Sequence, residues 1–370
     1  MRKYWIIFLI VIFAAASLTA CNQNNEPPAA PTTSRTIIDQ GGNEVLLPDK
    51  IERVVITTIY ALPSVFVQYK GSADQLIGMH PASLSAARYS LLPELFPAIL
   101  DVETGFIQGG IINVEELLKL NPDVVFYSTA YPAEKEVLQK AGIPSVGFSN
   151  SINDFNAVET VNSWLEQLAE VFGEPERVPE ITGYARNVEA EIAARLKDLP
   201  EAKKPRALFL FRYSNTEIRT SGSNFFGEYW SQATGAVNVA AELNGVADIN
   251  MEQVYAWNPD IIYITHFSPF MPEDLFTNQA VPGHNWSGVK AVQEGRVYKL
   301  PLGLFGWFPP SAEAALSLWF QAKNNHPELF SDLDLPQIVR DYYKNFFQVD
   351  LTDEQLARIF YPAREAAGGV

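Results

Sequence analysis

Four histidines, one cysteine and a surplus of acids bound the chemistry open to this 370-residue sequence. Two of the acids stand out by position. Glu115 and Glu252 occupy the same place in two copies of one motif. The first copy, Gly110 to Tyr127, reads GIINVEELLKLNPDVVFY; the second, 137 residues on, reads ADINMEQVYAWNPDIIYI. Most of the shared frame is local physics. Asn113 and Asn250 suit helix N-caps, and Glu116 and Gln253 fall three residues later, where a side chain reaches back to the cap. Asn121-Pro122 and Asn258-Pro259 then stop each short helix. Capping requires neither Glu115 nor Glu252. Each is either a first-turn acid favoured by the helix dipole, by about 0.3–1 kcal/mol, or a residue kept for another purpose.

A second group of reactive side chains falls at the ends of predicted strands. Thr58, Tyr60, His80, Tyr89 and Tyr131 do so in the first half of the chain, and Arg212, Tyr213, His266, Phe267 and Phe270 in the second. Ligands of open α/β sheets meet the carboxyl ends of strands. The segment Pro301 to Pro310 (PLGLFGWFPP) holds Phe305 and Trp307 among glycines and prolines, a pattern too irregular for a core strand. These side chains suit an aromatic-walled cleft, with Arg212 as a bidentate partner for an anionic group. Each has a plainer alternative: Phe305 and Trp307 as core beneath the loop, Arg212 as a salt bridge, His80 and His266 as solvated strand ends. His284 and His326 read as loop and helix-end residues, not ligands. Four scattered histidines without an H-x-x-x-H spacing do not announce a bare metal site.

The elements that must position these groups are alternating strands and helices, an α/β pattern. Strands are predicted at residues 53–58, 75–80, 123–128 and 144–148, and again at 206–212, 260–265 and 296–300. Helices are predicted at 62–70, 133–140 and 226–234. Two motif copies so far apart imply two similar lobes, because solenoid periods are 20–50 residues. Between them, Asn153 or Asp154 caps a helix that Gly173 ends. Pro175 opens a longer helix with Val178, Ile181, Tyr184, Val188, Ile192 and Leu196 along one face. Two tail helices, 336–347 and 353–360, are expected on the second lobe. The fold class is therefore α/β: two three-layer lobes joined by a long bridging helix, with a ligand cleft between the lobes.

The N-terminus supplies an address. Arg2 and Lys3 precede a short apolar run that ends Leu18-Thr19-Ala20-Cys21, a secretory-signal pattern. This ending resembles the bacterial lipobox, which implies lipidation of Cys21 after cleavage. Residues 1–20 then read as signal peptide and 21–35 as lipidated cysteine and flexible tether. The first lobe is 36–152, the bridging helices 153–199, and the second lobe with its C-terminal helices 200–370. With one cysteine, disulfide scaffolds, cysteine zinc sites and protein-ligated iron–sulfur clusters are excluded. The net charge of −16 becomes −18 once the first twenty residues are removed, so no nucleic-acid partner is expected.

Taken together, the lipobox, the acidic body, the two lobes and the paired N-x-E…NPD motifs resemble one family. It comprises the substrate-binding lipoproteins of ABC importers for ferric siderophores, cobalamin and haem. The stretch Trp286 to Tyr298 (WSGVKAVQEGRVY) resembles that family's W-x-x-[IVL]-x-A-V-x-x-G-R-V-Y segment. The resemblance spans about residues 36 to 345. It implies an extracytoplasmic, lipid-anchored monomer that delivers a ferric siderophore or similar iron chelate to a permease powered by an ATPase subunit. A corrinoid, haem or nickel/cobalt chelate is the alternative cargo. It implies that Glu115 and Glu252 dock on the permease. It also implies that Tyr60, His80, Tyr131, Arg212, Tyr213, His266, Phe305 and Trp307 line the cleft. No intrinsic cofactor is expected, and no metal is held directly, though His80 or His266 could complete the shell of a chelated metal. Enzyme motifs such as G-x-S-x-G, G-x-x-x-x-G-K-[ST] and G-x-G-x-x-G are absent. A secreted hydrolase and a surface scaffold are the remaining alternatives.

Overall fold

The computed structural model describes residues 35–369. The expected signal segment, Cys21 and the expected tether up to Ser34 lie outside the described residues, and Arg35, expected to end the tether, instead opens the first strand. Among the described residues, no helix is long and apolar enough to cross a membrane.

Two sheets organise the chain. The first is four-stranded and parallel, in the spatial order Leu76–Met79, Val54–Ile56, Val124–Ser128, Ser145–Phe148. Its strands are apolar almost throughout because helices cover both faces. The second sheet is mixed. Its parallel part, Arg206–Tyr213, Ile261–Ile264 and Val297–Lys299, corresponds to the predicted strands. Ile218–Ser221 and Val246–Asp248 extend it antiparallel, and Val237–Asn238 pairs beside Arg206–Tyr213. Sequence reasoning did not find these three extra strands. An antiparallel hairpin, Arg35–Ile38 with Glu44–Leu47, opens the described chain.

The motif copies build the same junction twice. Asp123 Oδ2 accepts the backbone N–H groups of Glu52 (2.7 Å) and Arg53 (2.8 Å). Asp260 Oδ2 accepts the N–H of Arg206 (2.8 Å). Each arginine returns the favour by donating to carbonyls at the end of the preceding motif helix. Arg53 reaches Leu120 and Asn121, and Arg206 reaches Trp257. Register follows: Val54 pairs with Val124, and Ala207 with Ile261. The aspartate of NPD therefore pins the start of two neighbouring strands, and the arginine satisfies helix-end carbonyls that would otherwise lack partners.

The connection between the lobes is a pair of helices, Ala157–Phe172 and Val178–Leu196. Asn156 caps the first, accepting the Glu159 N–H. Asn153 and Asp154, the expected caps, instead sit in the left-handed region of the loop before it. Gly173 ends the helix with φ 71°. The second helix has 19 residues, about 28 Å at 1.5 Å per residue. Val178, Ile181, Val188 and Ile192 are buried along its inner face. Trp164 and Gln167 tie the first helix to carbonyls of Ser149 and Gly147 beside the first sheet. The second helix packs on Ala314–Asn325, a buried helix of the second lobe.

The tail departs from expectation. Leu335–Phe347 and Asp353–Phe360 form, but they do not rest on the second lobe alone. Gln68 of the first lobe donates to the Tyr342 hydroxyl (2.8 Å). Glu94 of the first lobe pairs with Arg358 and accepts from Gln355. Arg364 then pairs with Asp274 of the second lobe. The aromatic face of Leu335–Phe347 drives this placement: Tyr342, Tyr343 and Phe346 are buried in a core that runs through both lobes. The C-terminal segment thus bonds to each lobe.

Candidate functional site

A cavity of about 400 Å³ opens at the carboxyl ends of the first sheet's strands. Thr58 and Tyr60 follow Val54–Ile56, His80 follows Leu76–Met79, and Tyr131 and Glu134 follow Val124–Ser128. A short hairpin, Ile107–Gln108 with Ile111–Ile112, forms its apolar lip. The hairpin turns through Gly109 and Gly110, both at positive φ, a conformation side chains disfavour. The structure therefore brings together Tyr60, His80 and Tyr131, three of the residues expected at the cleft.

His80 caps the helix Pro81–Arg88: its Nδ1 accepts the Ala82 N–H at 3.0 Å. This leaves Nε2 as the protonated nitrogen of a neutral ring. Burial lowers the His80 pKa and keeps it neutral. The Tyr60 ring lies edge-on to His80, with centroids 4.7 Å apart. Burial, reinforced by the neighbouring Tyr131, pushes the Tyr60 phenol up to about 12. The Tyr60 hydroxyl therefore stays protonated near neutral pH, and His80 Nε2–H can donate to a ligand.

Glu134 was missed by sequence reasoning. It is a first-turn acid of Pro132–Lys140, and there the dipole already explains an acid. In the fold, its carboxylate accepts Thr58 Oγ1 at 2.9 Å and the Thr57 hydroxyl. Burial raises its pKa against the lowering by these two bonds.

The second lobe presents a different surface. Phe211, Phe225 and Phe267 are half-buried at its strand and helix ends. Phe211 packs on both partners, with centroids 5.5 Å and 5.1 Å away. Phe155, from the segment leaving the first lobe, adds to this cluster at 5.9 Å from Phe225. Arg212 is partly exposed at the end of Arg206–Tyr213. Its Nε is 4.0 Å from Glu217 and makes no hydrogen bond, so its guanidinium is only loosely engaged.

Four expected cleft residues are interior instead. Tyr213 is fully buried; its hydroxyl accepts Trp286 Nε1 (2.9 Å) and meets His284 Nδ1 (3.0 Å). His266 is 2% exposed. Its ring lies against Gly306, where a Cβ would come within 1.8 Å, and burial lowers its pKa to about 3. Phe305 and Trp307 are buried because the segment Pro301 to Pro310 folds inward. Gly303 permits this by letting the backbone approach Glu313, whose carboxylate accepts the N–H groups of Leu304 and Phe305 and the Tyr343 hydroxyl. Trp307 packs between Phe320 and Phe360. Glycines read as loop punctuation thus serve close packing. His326 bonds the Gly235 carbonyl at a helix end.

Glu115 and Glu252 are exposed, each in the first turn of its motif helix, Val114–Lys119 and Met251–Trp257. Neither side chain makes an ion pair or hydrogen bond. Their neighbours are occupied: Glu116 pairs with Lys119 at 2.7 Å, and Gln253 closes the capping box with Asn250. Glu116 thus does not reach back to Asn113 as expected. Among the described residues, no group of three or more His, Cys, Asp or Glu side chains converges as a metal site would require.

Residues 80–302 match a protein family described as periplasmic binding protein. The molybdate-binding protein MolA of Haemophilus influenzae is 27% identical over 344 residues, covering 88% of this chain and 94% of that protein. An iron-uptake system-binding protein of Bacillus subtilis is 27% identical over 269 residues, covering 67% of this chain and 78% of that one. Among solved structures, a periplasmic solute-binding protein from Veillonella parvula superposes with a TM-score of 0.79 at 26% identity. That match covers 89% of this chain and 97% of the other.

Proposed function

We infer a role from one premise, that this chain belongs to the periplasmic binding protein family. Members of this kind are extracytoplasmic receptors that work with the permease and ATPase subunits of ABC transporters. The cargo we propose is a metal chelate with an organic ligand, the ferric siderophore class first. The first-lobe cavity carries this reading. Its volume of about 400 Å³ lies in the range of ~300–1,000 Å³ usual for organic ligands, and its phenol and imidazole donors suit a chelate's oxygen-rich rim. Phe211, Phe225 and Phe267 supply apolar area for the organic part, and Arg212 a partner for a carboxylate edge. No hydrolytic role is proposed: the named relatives are binding proteins.

Two further assignments complete the proposal. Cys21 carries the lipid anchor; several acyl chains on one residue hold durably where one does not. Glu115 and Glu252 dock on the permease, supported by their exposure, their lack of partners and their repetition on both lobes. Such pairs add modest energy but fix orientation and speed encounter.

A second reading, a tetrahedral metal oxyanion, is favoured by the likeness to the molybdate-binding relative over most of both chains. Calorimetric titration of residues 22–370 separates the two. The panel is a ferric trihydroxamate, a ferric tris-catecholate, cobalamin, haem, nickel(II)–histidine and molybdate. Micromolar or tighter binding of one ferric chelate supports the first reading. Binding of molybdate alone overturns it in favour of the second.

A further inference from the structure

We propose that Glu134 makes the first-lobe cavity select by charge, accepting a metal chelate of zero or positive net charge and rejecting anionic chelates and free oxyanions. This rests on the metal-chelate reading and narrows its substrate class.

The argument begins with what surrounds the carboxylate. No lysine or arginine lines the cavity. His80 is held neutral there, with Nδ1 committed to the Ala82 N–H. Tyr60 and Tyr131 are phenols, and Thr57 and Thr58 contribute only hydroxyls. Lys135, next in sequence, is engaged by Asn43. Glu134 is therefore the one formal charge among the cavity's lining residues, and no cation there offsets it. The two threonine bonds hold both carboxylate oxygens in place, so the charge cannot swing out to solvent. In a partly buried site, Coulomb interactions are several-fold stronger than in bulk water. An oxyanion entering would face a fixed like charge while giving up its own hydration. A cationic or neutral metal centre would not, and the three ring donors would still serve its oxygen atoms.

A purely structural Glu134, tying Thr57 and Thr58 to the start of Pro132–Lys140, would give the same hydrogen bonds but no discrimination by charge. Calorimetry distinguishes the two, using a cationic ferric trihydroxamate, an anionic ferric tris-catecholate and molybdate. The intact chain should prefer the cationic probe by at least tenfold. Glu134→Gln, isosteric and uncharged, should cut that preference at least tenfold, and Glu134→Asp should keep it within about threefold. Val137→Lys tests the same charge without touching the threonine bonds. Val137 is an exposed residue at the cavity rim, one helical turn from Glu134, and the added cation should erase the preference. If the cationic chelate binds but Glu134→Gln and Val137→Lys leave the ratio unchanged, the charge role fails and the chelate reading stands. If the intact chain binds none of the chelates, both fail.

Discussion

The two lobes share a sequence frame and a junction but present opposite chemistry at the strand ends. In both, an aspartate pins the strand start, an arginine closes the helix end, and an exposed glutamate is left without a partner. Beyond the strands the lobes diverge. The first offers a hydroxyl- and imidazole-lined cavity with one buried-side acid, Glu134. The second offers half-buried phenylalanines and one loosely paired arginine, Arg212. Scaffold chemistry is repeated because each sheet must start the same way. Strand-end chemistry differs because loops there carry no such demand. Two acids show the contrast, one half-buried and one buried. Glu134 faces a cavity, whereas Glu313 sits wholly inside, with Leu304, Phe305 and Tyr343 as donors.

The largest test of this contrast is Glu313→Ala, which leaves buried donors unsatisfied and a void. We expect a loss of about 3–5 kcal/mol in urea unfolding from the unsatisfied donors and the void together; a loss under about 1 kcal/mol would contradict the core role. The same residue predicts a pH dependence. Burial raises its pKa from 4.5 to about 7, so the folded state holds a proton that the unfolded state releases. Its contribution is thus fully favourable below pH 4.5 and is lost as pH rises through 7. Glu313→Gln should flatten stability across that window, and an unchanged slope would assign the titration elsewhere.

Breaking the repeated junction comes next. Asp123→Ala removes the acceptor of two backbone N–H groups and should cost about 2–3 kcal/mol. Asp260→Ala removes one N–H acceptor and the exposed Lys290 pair (2.7 Å), at about 1–2 kcal/mol. Equal losses would mean the two junctions are energetically alike. The docking proposal is tested by combining Glu115→Ala with Glu252→Ala. Uptake should fall at least tenfold with ligand affinity unchanged, and normal uptake would remove both residues from the interface. The smallest effect is expected at Arg212→Ala, about a tenfold weaker Kd (about 1.4 kcal/mol) for a chelate of zero or positive net charge that carries one carboxylate, and none for a ligand without an anionic edge.

Much of this molecule is legible in its sequence, and the legible parts share a property. The strands of the first sheet, the three central strands of the second, the bridging pair and the capped motif helices are encoded by short-range signals: apolar runs, cap residues, Asn-Pro stops and a three-four stripe. Such signals operate within a few residues of chain, so no knowledge of the fold is needed to read them. The repeat alone implied two related lobes. Tyr60, His80 and Tyr131 could be placed at strand ends because position after a strand is itself a local feature.

What tertiary structure decided lies in contacts distant along the chain. Whether Trp307 and Phe305 face ligand or core depended on Glu313 and Tyr343, which capture the backbone at Gly303. Tyr213 and Trp286 meet across 73 residues, turning an expected cleft tyrosine into a core hub. The tail met both lobes because its aromatic face matches a core formed by the bridge, not a pattern of its own. Glu134 came to line the cavity only when Thr57, Thr58, Tyr60 and His80 closed around it. An amphipathic or reactive side chain declares what it can do, but the free energy of burying it is set by neighbours brought in from elsewhere.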